Sequence, residues 1–328
     1  MKSRLFAGVP VSEVGLGCWQ LGGDQWGDIT ESEALAVLHA AAEAGVTFLD
    51  TADVYGVGRS ESLIGRFLRE RGRQGFFIAS KFGRFPTPGW PENFQPMVIR
   101  QHIEASLRRL GIEQLDLTQM HCLPREQVQR EELWDTLRQL QREGKIARFG
   151  ASVESVEEAE ECLRHPDCAS LQIIFNIFRQ TPALCGLLER CQQRGVAIIV
   201  RLPLASGLLG GRYTPQTTFA PNDHRSFNRN GERFNVGETF AGLGFEKGLE
   251  LVEQLQALVP AGLPLPQLAL RWCLDHPAVT VVIPGARRPE QVRSNAAASD
   301  LPSLSPELHS RLRDFFLQKV KPHVRGPD

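Results

Sequence analysis

The sequence predicts an α/β chain closed into a (β/α)8 barrel, the TIM-barrel architecture, with an N-terminal β-hairpin and a long loop insertion after the seventh strand. Three observations carry that reading. Eight short β-branched or apolar runs alternate with amphipathic, helix-like stretches along almost the whole chain. Strand, helix, strand repeated in this way calls for parallel pairing, because each crossover helix returns the chain to the same edge of the sheet. Eight such units in 328 residues fit a closed barrel better than a doubly wound sheet. A single domain over residues 1–328 is expected. Hydrophobic residues at 42% and charged residues at 23% are ordinary for a globular chain, which excludes disorder, collagen-like repeats and a disulfide scaffold as descriptions of the whole.

In chain order, residues 4–11 with a turn at 7–10 read as a hairpin closing the barrel bottom. The eight strand candidates are 14–17, 47–50, 76–81, 115–121, 147–152, 171–176, 197–203 and 279–284. The helix 32–44 carries Ala34, Leu35, Val37, Leu38 and Ala41 on one side and stops at Gly45. Helices 98–110, 131–142 and 182–194 stop likewise at Gly111, Gly144 and Gly195, the expected helix stop. The stretch 213–246 is long and rich in Asn, Gly and Arg, and a loop of that length in a compact domain is usually functional or mobile. Residues 305–320 read as an amphipathic helix able to pack on the barrel or on a partner. A dinucleotide-binding G-x-G-x-x-G after the first strand is missing; Gly56-Val57-Gly58-Arg59-Ser60-Glu61 places a glutamate at the third glycine.

The formal net charge of −1 and the lack of any Lys/Arg block argue against nucleic-acid binding. No apolar run approaches the roughly 18 residues of a membrane span, and the amino terminus has no secretory apolar stretch. The seven cysteines are scattered and form no C-x-x-C or zinc framework. Free thiols in a reducing, cytoplasmic compartment and no bound metal are expected; the oligomeric state is left open.

Active-site residues of such barrels come from the carboxyl ends of the strands. After the second strand stands Asp50, with Tyr55 five residues on; Lys81 ends the third strand and His121 the fourth. Singly, Asp50 reads as a helix cap or a loop ligand, Lys81 as a surface charge and His121 as a structural histidine. Tyr55 is one of only two tyrosines, and the convergence of all four on one mouth favours chemistry. An ammonium beside a tyrosine favours phenolate and lowers its pKa from ~10, while a carboxylate keeps the lysine charged. A histidine within reach can orient a carbonyl. The set suits protonation of a carbonyl oxygen while hydride reaches its carbon.

Leu49-Asp50-Thr51-Ala52-Asp53-Val54-Tyr55-Gly56, Ser80-Lys81-Phe82-Gly83 and Gln119-Met120-His121 resemble the catalytic segments of the aldo-keto reductase superfamily. The resemblance continues through Gly150-Ala151-Ser152, Gln172, the run 203–213 and Ile283-Pro284-Gly285-Ala286-Arg287, in the same order over essentially the whole chain. It implies reduction of an aldehyde or ketone by NADPH, with Tyr55 as general acid, Lys81 and Asp50 tuning it and His121 orienting the carbonyl. It also implies that Gly17, Trp19 and Asp50 border the cofactor, that Ser152 and Gln172 hold the nicotinamide carboxamide, and that Pro203, Leu204, Gly207, Gly210 and Arg212 follow the pyrophosphate. Gly285, Arg287, Gln291 and Asn295 fall to the adenosine end, and an arginine at a helix amino terminus suits a 2′-phosphate. Two positions depart from the family pattern: Val153 stands for an asparagine, and Arg201 for the aromatic residue that stacks on the nicotinamide ring. Trp26, Phe85 and Trp90, with Trp19 and Phe82 nearby, are read as an apolar substrate wall, and Arg225 as reaching the phosphates. The rival readings are a slow, cofactor-sensing protein resembling potassium-channel β subunits, and a barrel isomerase or aldolase using Lys81 as a Schiff base.

Overall fold

A computed structural model describes residues 1–327. Strands β1 (Ser3–Phe6) and β2 (Val9–Ser12) form an antiparallel hairpin. The other eight are β3 (Leu16–Gly17), β4 (Phe48–Asp50), β5 (Phe77–Phe82), β6 (Leu117–His121), β7 (Phe149–Ser152), β8 (Ser170–Ile174), β9 (Ala197–Arg201) and β10 (Val279–Val282). Each overlaps one of the eight runs read from the sequence. They pair in parallel in chain order from β3 to β10. Parallel bridges Val14–Val282 and Gly17–Gly285 close the ring, with Gly15 N donating to Val282 O at 2.8 Å. A Cβ on Gly17 would fall 2.7 Å from the Ile283 carbonyl oxygen, so a side chain there would wedge the closing strands apart.

The hairpin turn is two residues, not four: Ala7 (φ 43°) and Gly8 (φ 85°) occupy it, and Val9 and Pro10 already belong to β2. Positive φ at both central residues is what a tight hairpin with right-handed strand twist requires. The hairpin drives Phe6 into the barrel floor, where its ring lies 5.6 Å from Phe48 and 4.8 Å from Phe77. Leu117, Ile199 and Val281 complete this inner apolar layer. Phe6→Ala is expected to cost about 3–5 kcal/mol, read as a lower urea midpoint; an unchanged midpoint would show that the plug contributes no packing.

A larger core lies between the ring and the surrounding helices. The helix Glu31–Glu43 is fixed by a capping box from Thr30 and Glu33. The stretch 182–194 is not one helix but two, Thr181–Leu184 and Leu187–Gln193, divided at Gly186 with φ 77°. Glu61, in the glycine-rich stretch after β4, is a buried structural carboxylate, 2.6 Å from Arg109 and accepting from Ser80 Oγ at 2.5 Å. At the carboxyl terminus, Leu308, Leu312, Phe316 and Val320 are buried in the chain's own core, so this amphipathic face is already covered. All seven cysteines are free thiols, and no helix among the described residues is long and apolar enough to cross a membrane.

Between β9 and the helix Phe245–Gln256 the insertion makes only short helical turns. It folds back over the carboxyl ends of the strands, where Asp223 bridges to Trp26 and His224 N donates to Gln25 O at 2.9 Å.

Candidate active site

The register places the expected groups at one mouth. Asp50 ends β4, Lys81 lies near the end of β5, His121 ends β6, and Tyr55 sits on the turn that follows β4. Lys81 Nζ donates to Asp50 Oδ1 at 2.6 Å, to Thr51 O at 2.8 Å and to Tyr55 Oη at 3.2 Å. The second Asp50 oxygen accepts from Gln172 Nε2 at 2.8 Å and Gln119 Nε2 at 3.2 Å. Gln119 was missed as a site residue, although its signal was present: strand alternation turns residues two apart to the same face, so Gln119 accompanies His121. The carboxylate is therefore gripped on both oxygens and cannot swing.

Burial dominates the electrostatics. It pushes Tyr55 up to about 12, outweighing the lowering by the Lys81 ammonium. This corrects the sequence expectation of a depressed tyrosine: removing the phenol from water penalises phenolate more than one ammonium, itself paired with Asp50, favours it. Burial alone would lower Lys81, but Asp50 and Tyr55 carry it above its ordinary value, so it stays charged. Burial, then the charges of Arg84, Lys81 and Arg201, hold His121 well below the usual histidine range. A neutral imidazole thus stands edge-on to the Tyr55 ring, with centroids 5.9 Å apart. Its Nδ1 is buried without a hydrogen-bond partner among the described residues. The arrangement can deliver a phenolic proton to an oxygen that a neutral imidazole orients.

These groups open into a cleft of about 820 Å³. Gly17, Trp19, Asp50, Gln172, Arg201, Pro203, Leu204, Gly207, Gly210, Arg212, Gly285, Arg287 and Gln291 all line it, as do Trp26, Phe85 and Trp90. Trp19 stacks on Tyr55 at 5.9 Å, whereas Phe82 is a core residue. Ser152 and Asn295 lie outside the lining: Ser152 is buried with its Oγ 3.5 Å from Cys122 Sγ, and the cleft is met by Ser294 rather than the buried Asn295. The Val153 side chain is in the core, and its carbonyl accepts from Arg201 Nη2 at 3.2 Å. Arg225 lines the cleft as well. Asp223 grips it, it donates to Tyr213 Oη at 2.5 Å, and it stacks on Trp26 and Phe219, bracing the insertion.

Three further charged residues were read past. Arg84, after β5, lies 2.7 Å from Glu154 and 3.5 Å from Glu238 of the insertion, and Glu238 is 3.1 Å from Arg201. All four line the cleft. No local pattern announces them, because they converge from four separate loops and strand ends.

The aldo/keto reductase family model matches residues 13–315 of this chain. The chain belongs to the aldo/keto reductase family. As an oxidoreductase of that family it is 30% identical to the aldo-keto reductase YhdN of Bacillus subtilis over 295 residues, 88% of this chain and 85% of that protein. It is 29% identical to the NADH-specific methylglyoxal reductase of Escherichia coli over 309 residues, 89% and 91% of the two chains. A solved aldo-keto reductase from Klebsiella pneumoniae in complex with NADPH superposes with a TM-score of 0.71 at 26% identity, covering 99% of this chain and 98% of that one.

The cleft of this aldo/keto reductase fits an extended phosphorylated dinucleotide. Gly207 (φ 95°) and Gly285 both line it, and a Cβ at either would crowd a neighbouring side chain, Tyr213 Oη or Gln20 Oε1, at 2.1 Å. Arg212, Arg287 and Arg288 add positive charge along the same wall, as phosphate recognition requires. Gln291 Oε1 accepts from the backbone N of Arg287 at 2.8 Å and Arg288 at 3.1 Å, which fixes the start of the helix Pro289–Ala296 beside them.

Proposed function

We propose that this protein, acting as one barrel over residues 1–328, reduces an aldehyde or ketone to an alcohol with NADPH. The observation that supports the reading best is the chain of contacts from Asp50 through Lys81 to the Tyr55 hydroxyl, at 2.6 and 3.2 Å, ending in the cleft beside His121. When bound, NADPH supplies the hydride. Tyr55 O–H donates to the carbonyl oxygen and releases its proton there, so the carbon–oxygen π pair ends as an O–H bond. The phenolate left behind is held by the Lys81 ammonium, and Asp50 keeps that ammonium charged. His121, neutral, orients the carbonyl through a ring N–H. Initial rates of aldehyde-dependent NADPH consumption test the reading; tight NADPH binding without turnover on any carbonyl compound would refute it.

Relatives differ in cofactor, so the choice of NADPH rests on this chain's own cations. Arg287 reaches from the β10 side to donate to Trp26 O at 3.0 Å and to Asp28 O, and a 2′-phosphate at this edge would gain a charge-assisted bond. Arg287→Ala is expected to raise the Kd for NADPH about tenfold or more while changing that for NADH less than about threefold, measured by quenching of tryptophan fluorescence. An equal loss for both would assign Arg287 to bracing the 26–28 loop instead. The Schiff-base reading finds no support, since Lys81 Nζ is fully enclosed and already donates to three oxygens. Nothing observed favours the sensor.

A further inference from the structure

We propose that Arg84, Glu154 and Glu238 form a substrate subsite that selects neutral, hydroxylated carbonyl compounds (hydroxyaldehydes or hydroxyketones) over apolar or anionic ones. The inference rests on the reductase reading and names the substrate class of the same cleft.

The three side chains line the cleft that Tyr55 and His121 enter. Arg84 and Glu154 each stand two residues beyond the carboxyl end of a strand, β5 and β7, beside the strand ends that carry Lys81 and His121, which sets the subsite near the reacting end. With Arg201 included, the cluster holds two guanidiniums and two carboxylates, and its formal charge is zero. An apolar tail laid against it would cover charged groups without hydrogen-bonding them, which is costly. A carboxylate or phosphate would gain Arg84 but meet Glu154 and Glu238 in the same contact. A hydroxyl both donates and accepts, so it can bond the carboxylates and the guanidinium together without bringing charge.

The cluster also has bonding capacity left. A guanidinium fork offers five N–H groups and a carboxylate about four acceptor sites. Arg84 uses its two terminal nitrogens on Glu154 and Glu238. The Arg84 and Glu154 side chains remain 28% and 19% exposed, which leaves them open to the cleft. Cys122 Sγ and one oxygen each of Glu154 and Glu238 lie within 4.8 Å of one another. Both carboxylates are paired with guanidinium, however, so these atoms form a hydrogen-bonding surface.

The test compares kcat/KM for glyceraldehyde, propanal and succinic semialdehyde, using the full chain with NADPH, in the wild type and in Arg84→Met and Glu154→Gln. The glyceraldehyde-to-propanal ratio is expected to fall about tenfold or more in each variant, the loss associated with a hydrogen bond to a charged group. Comparing ratios between proteins cancels the hydration of each aldehyde in water. A ratio unchanged in either folded variant overturns the proposal, and so does a wild-type preference for succinic semialdehyde over glyceraldehyde. Should Arg84→Met fail to fold, Glu154→Gln, which preserves side-chain shape, decides alone. If no aldehyde is turned over, it is the reductase reading that has failed, and ligand-observed NMR then judges the subsite. Saturation transfer to glycerol, weak for propan-1-ol and lost in the variants, supports it; equal transfer in all proteins overturns it.

Discussion

Tyr55→Phe is expected to lower NADPH-dependent carbonyl reduction by about 10²–10⁴-fold, the range associated with a lost general acid, while NADPH affinity stays within about twofold. The substitution removes one oxygen and leaves the ring, whose stacking on Trp19 at 5.9 Å persists. Lys81 loses one of three acceptors but keeps Asp50 and the Thr51 carbonyl, so the surrounding charges stay in place. Initial rates and a fluorescence titration on the same preparation separate the two quantities. Retention of more than about a tenth of the wild-type turnover would remove Tyr55 from the proton-donating role. The wild-type pH profile carries a related expectation. In the proposed mechanism Tyr55 acts in its protonated form, and burial raises its pKa to about 12, so the donor form persists below that value. Reduction should therefore show no falling limb assigned to Tyr55 between about pH 7 and pH 10. A limb in that window that moved on Lys81 substitution would mean that the ammonium outweighs burial after all.

The second large effect concerns stability. Lys81 and Asp50 form an ion pair with both side chains almost fully enclosed. Lys81→Met strands a carboxylate in the barrel, and breaking a buried pair from one side typically costs about 3–5 kcal/mol. Gln119 and Gln172 still donate to Oδ2 but bring no charge. The double variant Lys81→Met/Asp50→Asn carries no stranded charge and is expected to recover most of that stability without recovering turnover. Urea midpoints at constant m-value measure the first quantity and initial rates the second. A single variant as stable as the wild type would show that the carboxylate does not depend on this partner.

Much of the architecture was legible because it is written in order along the chain. Apolar runs of strand length, separated by amphipathic stretches with glycine stops, produce eight parallel neighbours without further information. Residues at strand ends inherit their position from that topology, which is why Asp50, Lys81 and His121 could be brought together on paper. What was not legible depends on packing across the fold. The direction of the Tyr55 shift follows from how completely the phenol, stacked on Trp19, is enclosed, and no spacing rule reports enclosure. Arg84 and Glu238 meet across 154 positions, so their pairing exists only once the insertion has folded back. Gly186 could be read as a helical residue because the residues around it are good helix formers; its left-handed conformation belongs to the tertiary path. Ser152 pairs in register with His121 and Gln172, which line the cleft, yet is itself buried beside Cys122, and Asn295 is buried next to Ser294, which does meet it; packing of this kind leaves no mark in spacing.

The hairpin floor described above has a bearing on proton supply. Phe6, Phe48 and Phe77 form an apolar layer on the side of Asp50 and Lys81 away from the cleft, so the charged pair faces solvent in one direction only. On the proposed mechanism, the proton that Tyr55 gives up is replaced from the cleft, where the phenol meets solvent. Reprotonation would then share its route with substrate and product, and is expected when the mouth clears rather than while product still fills it. On that mechanism, the floor that stabilises the barrel would also order turnover, with departure first and reprotonation after.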